Sequence, residues 1–206
     1  MGAATRVATV GAGAVGRALA GRLAGAGLDV TLAVRDPART PDGWTGRTSE
    51  VAAALDAADV VVVAVPGTAV PAFAAEHGVR LSGRVVLDAS NDMSGGATGP
   101  LHHRSAWDEH APGAHVFRAF NTLGWDTMAR PVVAGERADL PYSGPDGPPD
   151  ATARTVIAAT GLRPVRVGGP EADGLLDGAT RLWFALAMRD GRRRRLAFRV
   201  IEEPPG

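Results

Sequence analysis

Residues Arg6 to Gly27 read "RVATVGAGAVGRALAGRLAGAG". Val7 to Val10 form a short apolar run of the buried-strand type. Gly11 follows at once, and Val15, Leu19 and Leu23 then recur at helical spacing until "GAG" stops the pattern at Gly27. Strand, glycine turn and helix stand in the order that a G-x-G-x-x-G cradle requires. With 27 Gly in 206 residues the glycine spacing alone carries little weight, so it is the order of elements that decides. Each glycine then has a task. Gly11 permits a tight turn, Gly13 lets the backbone approach a pyrophosphate, and Gly16 lets the helix pack close to the strand. The free N–H groups and dipole of the helix start would hold the phosphates.

Working outward, "DVTLAV" (29–34) predicts a second strand that closes the first βαβ unit. An acidic residue usually ends this strand where NAD is bound. Here Val34 holds that place and Arg35 follows, a planar, permanently charged fork suited to a 2′-phosphate. NADP is therefore expected over NAD. Asp36, about 20 residues beyond Gly16, would serve a ribose if the strand ended later, but its place before Pro37 reads as a loop, and Arg39 reads as a second loop arginine. "SEVAAALDAA" (49–58) predicts a helix capped by Ser49, "DVVVVAVP" (59–66) a buried central strand, and residues 70–76 a helix. "RVVLDAS" (84–90) and "HVFRAFN" (115–121) predict two more strands. The alternation argues for an α/β fold, a Rossmann-type, mostly parallel sheet with helices on both faces. Ligands on such sheets bind beyond the carboxyl ends of the strands. That rule selects three segments: Pro66-Gly67-Thr68, Ser90-Asn91-Asp92 and Asn121-Thr122-Leu123.

Composition narrows the partners. All 22 basic residues are Arg, 22 acidic residues balance them, and the formal net charge is zero, so nothing global favours nucleic acid or an anionic membrane. The longest apolar runs fall far short of the roughly 20 residues of a spanning helix. No apolar signal region opens the chain, which sets the expectation of a cytoplasmic protein. Without Cys there is no disulfide, thiol nucleophile or thiolate metal site, and no metal is expected.

"VGAGAVGRALAGRLAGAGLDVTLAVRDP", "ADVVVVAVP", "VVLDASN", "HVFRAFNTLGWDTMARP", "PYSGPD" and "LWFALAMRDGRRRRLAFRVIE", in that order, resemble the NADPH-dependent reductases of the deazaflavin coenzyme F420 and their bacterial relatives. The "AFNTLGWDTM" block and the "LWFALA" helix carry more of the likeness than the glycines. The resemblance implies a Rossmann domain over 1–122 that binds NADP and a small C-terminal α/β part over 123–206 for substrate and dimerisation. It also implies hydride transfer between NADP and F420, and a homodimer. By position it lines the pyrophosphate with Gly11, Ala12, Gly13, Ala14 and Val15, the 2′-phosphate with Arg35, and the nicotinamide side with Val65 and Pro66. It gives Ala119 to Thr122 to the second substrate, with Asn91 facing it and Trp125 and the Trp183 helix as an apolar wall. The family has a polar residue where Ala14 stands and a Ser where Val34 stands, and both are lost here.

Absences narrow the chemistry further. A short-chain dehydrogenase needs Tyr with Lys, whereas this chain has one Tyr, Tyr142, and no Lys. Zinc alcohol dehydrogenases need Cys. No general acid or base stands out, which suits hydride transfer between two ring carbons held face to face. The segment from Asn91 to His115, rich in Gly and His, reads as a loop with His102 and His103 as a solvated pair, proton donation or substrate contact being the alternative. Residues 151–161 and 171–190 predict helices and 162–167 a strand. Trp183 and Phe184 read as core or dimer contacts before cofactor stackers, and "GRRRRLAF" (191–198) as a solvated face. Three activities fit: F420:NADP oxidoreduction, NADPH-dependent reduction of another small C=N or C=C acceptor, and non-catalytic dinucleotide sensing.

Overall fold

The fold grows from strands that are buried on both faces. In the computed structural model, which describes residues 4–38, 41, 43–189 and 195–203, β1 (Arg6–Val10) leads through the glycine turn into α1 (Ala14–Gly25). β2 (Asp29–Val34) follows, then β3 (Arg47–Glu50), which runs without a loop into α2 (Val51–Ala57). β4 (Val60–Val63), α3 (Val70–His77), β5 (Val85–Asp88), α4 (Arg104–His110) and β6 (His115–Arg118) continue the alternation. The chain then forms α5 (Trp125–Ala129), a hairpin of β7 (Val132–Val133) and β8 (Glu136–Arg137), β9 (Asp139–Ser143), α6 (Pro148–Ala159), β10 (Arg163–Gly168) and α7 (Asp173–Met188).

One eight-stranded sheet orders these as β3-β2-β1-β4-β5-β6-β9-β10. The first six strands are parallel and follow the doubly-wound order of dinucleotide-binding folds. β9 meets β6 antiparallel at one residue pair, Arg118 with Ser143, and β10 runs parallel to β9. The C-terminal strands therefore prolong the same sheet. Chain order reverses between β1 and β4, and the crevice opens there at the carboxyl ends.

β4 shows why the sheet is covered on both sides. Val60 and Val62 pack into one cluster with Leu19 and Leu23 of α1 and Val156 and Ile157 of α6. Val61 and Val63 pack into the other, with Leu55 of α2, Phe73 of α3 and Trp107 of α4. Successive side chains point to opposite faces, so an unbroken valine run is what a doubly covered strand requires.

Three expectations change. Ser49 lies inside β3 and caps nothing; the N-cap of α2 is Glu50, with no side-chain cap bond. The segment between Asn91 and His115 contains α4, which escapes a periodicity search because only Ala106 and Trp107 of its seven residues are buried. Its two histidines are held rather than solvated. His103 Nε2 lies 2.8 Å from Asp92 Oδ2, and His102 Nδ1 accepts the Arg104 N–H at 3.3 Å. Arg39 and four of the residues in "GRRRRLAF" fall outside the described residues.

Candidate functional site

The cradle forms where β1 ends. Gly11 has φ +105°, and a Cβ there would sit 2.5 Å from the Ala64 carbonyl oxygen at the end of β4. A Cβ on Gly16 would sit 1.8 Å from the Gly11 carbonyl oxygen, so only glycine lets α1 approach this closely. Gly13 differs from both: its φ of −69° suits any residue, and a Cβ there would meet no protein atom within 4 Å. It is the N-cap of α1 without a side-chain cap, and the first helical bond runs from Arg17 N–H to Gly13 O. The N–H groups of Ala14, Val15 and Gly16 are thus left for a ligand. Sequence reasoning missed Arg17, whose Nη1 donates to Ala12 O at 2.7 Å and brings a cation to the turn.

Val34 is buried at the end of β2, and Arg35 stands exposed beyond it. Among the described residues its guanidinium has no hydrogen bond or ion pair. Asp36 is used locally, its Oδ1 accepting the Ala38 N–H at 3.1 Å, as a loop residue would. Past β4, Val65 is partly buried and Pro66 exposed. Gly67 then lets the ends of β4 and β5 close up, since a Cβ there would lie 2.4 Å from the Asn91 carbonyl carbon.

Beside the helix start opens a cavity of about 190 Å³. Val15 and Asn91 border it on the cofactor side, and Phe120 and Asn121 close it from the end of β6. α5 contributes Trp125 and Met128, and α7 contributes Trp183 and Ala187. Among the described residues no charged side chain lines it, and Asn91 and Asn121 bring amides to an otherwise apolar and aromatic lining. Trp183 is both core and wall: it is 5% exposed and its Nε1 donates to Leu196 O at 3.2 Å. A larger cleft of about 390 Å³, lined by Arg6, Asp29 and Arg47, lies at the amino ends of β1 and β2, so the strand-end rule assigns it no cofactor.

Of the residues expected to face the acceptor, Asn91 and Asn121 line this cavity. Ala119 and Thr122 are fully buried outside it. The Asn121 amide is not free to steer a ligand through its N–H groups either. Nδ2 donates to Asp88 O at 3.2 Å and Ser90 O at 2.8 Å, leaving a buried Oδ1 with no partner among the described residues. That fastening holds the chain where Phe120 adopts φ +68°, a conformation costly for an aromatic residue, of order 1–3 kcal/mol, and typical of sites. Tyr142, the chain's one tyrosine, is buried on β9 and donates to Asp150 at 2.8 Å. Burial, aided by Asp150, pushes its hydroxyl up to about 12, so it is no proton donor for the cleft. Ser94, with His103 adding to it, holds the Asp92 carboxyl below the usual carboxylate range. Among the described residues no cluster of His, Asp or Glu is placed to hold a metal ion, and no helix is long and apolar enough to cross a membrane.

Residues 6–92 match the family model of NADP oxidoreductases, coenzyme F420-dependent. Among solved structures, a candidate F420-dependent NADP-reductase from Arthrobacter sp. FB24 is similar over 96% of this chain and 100% of its own, with a TM-score of 0.76 and 27% identity. A hypothetical protein from Sinorhizobium meliloti is similar over 84% of this chain and 88% of its own, with a TM-score of 0.68 and 28% identity. A reductive aminase from Aspergillus terreus, in complex with NADPH and ethyl-5-oxohexanoate, shares the fold at a TM-score of 0.61 and 19% identity; 89% of this chain spans 60% of that one. No curated protein sequence matches the chain.

Proposed function

The chain is an NADP-dependent oxidoreductase, and we propose that its hydride passes between NADP and the deazaflavin coenzyme F420. One observation carries the reading: an uncharged, aromatic-walled cavity opens at Val15, where the helix start that would hold the pyrophosphate begins. The residues present fit the dinucleotide. Gly13 leaves open the space a side chain would fill, α1 has no cap of its own, and among the described residues Arg35 has no partner.

Bound there, the nicotinamide supplies or accepts the hydride. The chain's own part is to bind and orient. Ala14, Val15 and Gly16 offer N–H groups to the pyrophosphate at the positive end of the helix. Arg17 adds a cation, and Arg35 reads the 2′-phosphate. Val65 and Pro66 would back the nicotinamide, and Asn91 lines the neighbouring cavity. Trp125, Met128 and Trp183 keep water from that space. Proximity and orientation are worth on the order of 7–11 kcal/mol, so no general acid is required. The test is NADPH oxidation with oxidised F420, read by the loss of the deazaflavin's visible absorbance; no loss at high enzyme concentration rejects F420.

A second reading replaces F420 by a compact neutral acceptor with a C=N or C=C bond. It is favoured by the cavity's size and by the lack, among the described residues, of any cationic side chain in its lining to hold an anionic substrate. The same reading includes a cytoplasmic homodimer, for which α7 offers an apolar strip of Leu175, Leu182 and Leu186, 67%, 52% and 40% exposed.

A further inference from the structure

β6 ends in Arg118, a guanidinium only 1% exposed, although an ionised group is among the costliest to bury. Its Nη1 donates to Ser90 O at 3.1 Å and its Nη2 to Asn91 Oδ1 at 2.9 Å. The same Nη2 lies 2.7 Å from Oδ1 of Asp177 on α7, an ion-pair contact that is not aligned as a hydrogen bond, and Nε has no hydrogen-bond partner among the described residues. Asp177 is 4% exposed, and its other oxygen accepts the Leu101 N–H at 2.7 Å. Apolar residues of similar volume commonly stabilise a fold as well as such a pair does. Stability therefore does not account for it, and what it holds is the better guide.

It holds Asn91. The amide oxygen takes the Arg118 N–H, and Nδ2 donates to Asn121 O at 3.1 Å. Arginine can only donate and a backbone carbonyl can only accept, so this amide has one orientation. One Nδ2 hydrogen remains, on a residue that lines the cavity.

Building on hydride transfer in this cavity, we propose that Arg118, with Asp177 as its counter-ion, is a positioning residue that locks and polarises Asn91. The remaining Nδ2–H is thereby presented to the acceptor atom that gains charge. With NADPH as donor, the hydride adds to the acceptor carbon and the π electron pair moves onto the conjugated heteroatom. The Asn91 hydrogen bond strengthens there without transferring its proton, and the proton completing the product is taken from solvent as the product leaves the cavity. A cation on the amide oxygen makes the N–H a stronger donor, as in any polarised hydrogen-bond chain.

The test compares Arg118→Met/Asp177→Leu, which exchanges the pair for apolar bulk, with Asn91→Ala and with the triple variant. The double variant should melt near the wild type, bind NADP within about twofold, and lose roughly 10- to 100-fold in kcat, below the loss from deleting a direct oxyanion donor. Asn91→Ala, which deletes the donor itself, should lose more, roughly 10²- to 10³-fold, and the triple variant no more than Asn91→Ala. A folded double variant with wild-type kcat, or losses that multiply in the triple variant, overturns the proposal. Side-chain ¹⁵N spectra give a readout without turnover, the Asn91 pair being identified by its absence in Asn91→Ala. Well-separated, slowly exchanging amide protons in the wild type that collapse in the double variant support the lock, even if no acceptor is reduced. A wild-type pair already at exposed-amide values refutes it.

Discussion

Gly13→Val separates a cofactor cradle from a merely tight turn, because the three glycines differ in what surrounds them. A Cβ at position 13 meets no protein atom within 4 Å, and the local backbone is extended, so valine fits the folded protein. The N-cap exchange costs at most about 1 kcal/mol. The branched side chain would instead occupy the space in front of the N–H groups of Ala14 to Gly16. Two charge-assisted hydrogen bonds lost at about 1.5–3 kcal/mol each make about 3–6 kcal/mol, or roughly 10²- to 10⁴-fold in Kd. Thermal unfolding with and without NADP reads both quantities together. Ligand at about 100 times its Kd adds about 2.7 kcal/mol, worth roughly 5–11 °C in a chain of this size. Wild type should show that rise; Gly13→Val should melt within a few degrees of apo wild type and show none. Gly16→Ala is the counterpart: its Cβ falls 1.8 Å from Gly11 O, and the roughly 1–3 kcal/mol of overpacking should lower Tm by roughly 2–12 °C even without ligand. A folded Gly13→Val protein that keeps the NADP-induced rise would refute the reasoning, leaving the motif a packing device.

Arg35→Ala should weaken NADP by about 1.5–3 kcal/mol and leave NAD nearly unchanged in titration calorimetry, since only the 2′-phosphate loses a partner; equal losses would place Arg35 elsewhere. Asp92 has a lowered folded pKa, so its stabilisation is complete above the unfolded value of about 3.9 and is lost as pH falls through the folded one. Asp92→Asn should therefore lower Tm at neutral pH, and the gap to wild type should close as pH falls below about 4; a constant gap argues against a linked carboxylate. Leu182→Arg, on the exposed strip of α7, should give a monomer by light scattering with its Tm nearly unchanged at matched concentration, whereas an unaltered dimer would move the interface off this helix.

How far each element is legible depends on whether its cause is local. The glycine turn is local in full: Gly11 needs its positive φ and Gly16 its missing Cβ because strand, turn and helix meet within a dozen residues. The four valines of β4 announce a doubly covered strand for the same reason. β9 hides because Pro141 sits within it, and proline argues against a strand. It is tolerated because β9 bridges β6 at a single pair, so one face of its ladder needs few donors. The cavity is half legible. Asn91 and Asn121 follow from the strand-end rule, and the rule also selects Thr122, whose side chain turns away into the interior. Arg118 shows where local reading ends. Nothing within "HVFRAFN" itself gives its arginine a role. It is buried only because α7 brings Asp177 across the end of β6, and that carboxylate is in turn engaged by the N–H of Leu101. Three segments distant in sequence must therefore be placed before the charge has a meaning. The meaning then concerns the site, because the atom the guanidinium secures is the amide oxygen of Asn91.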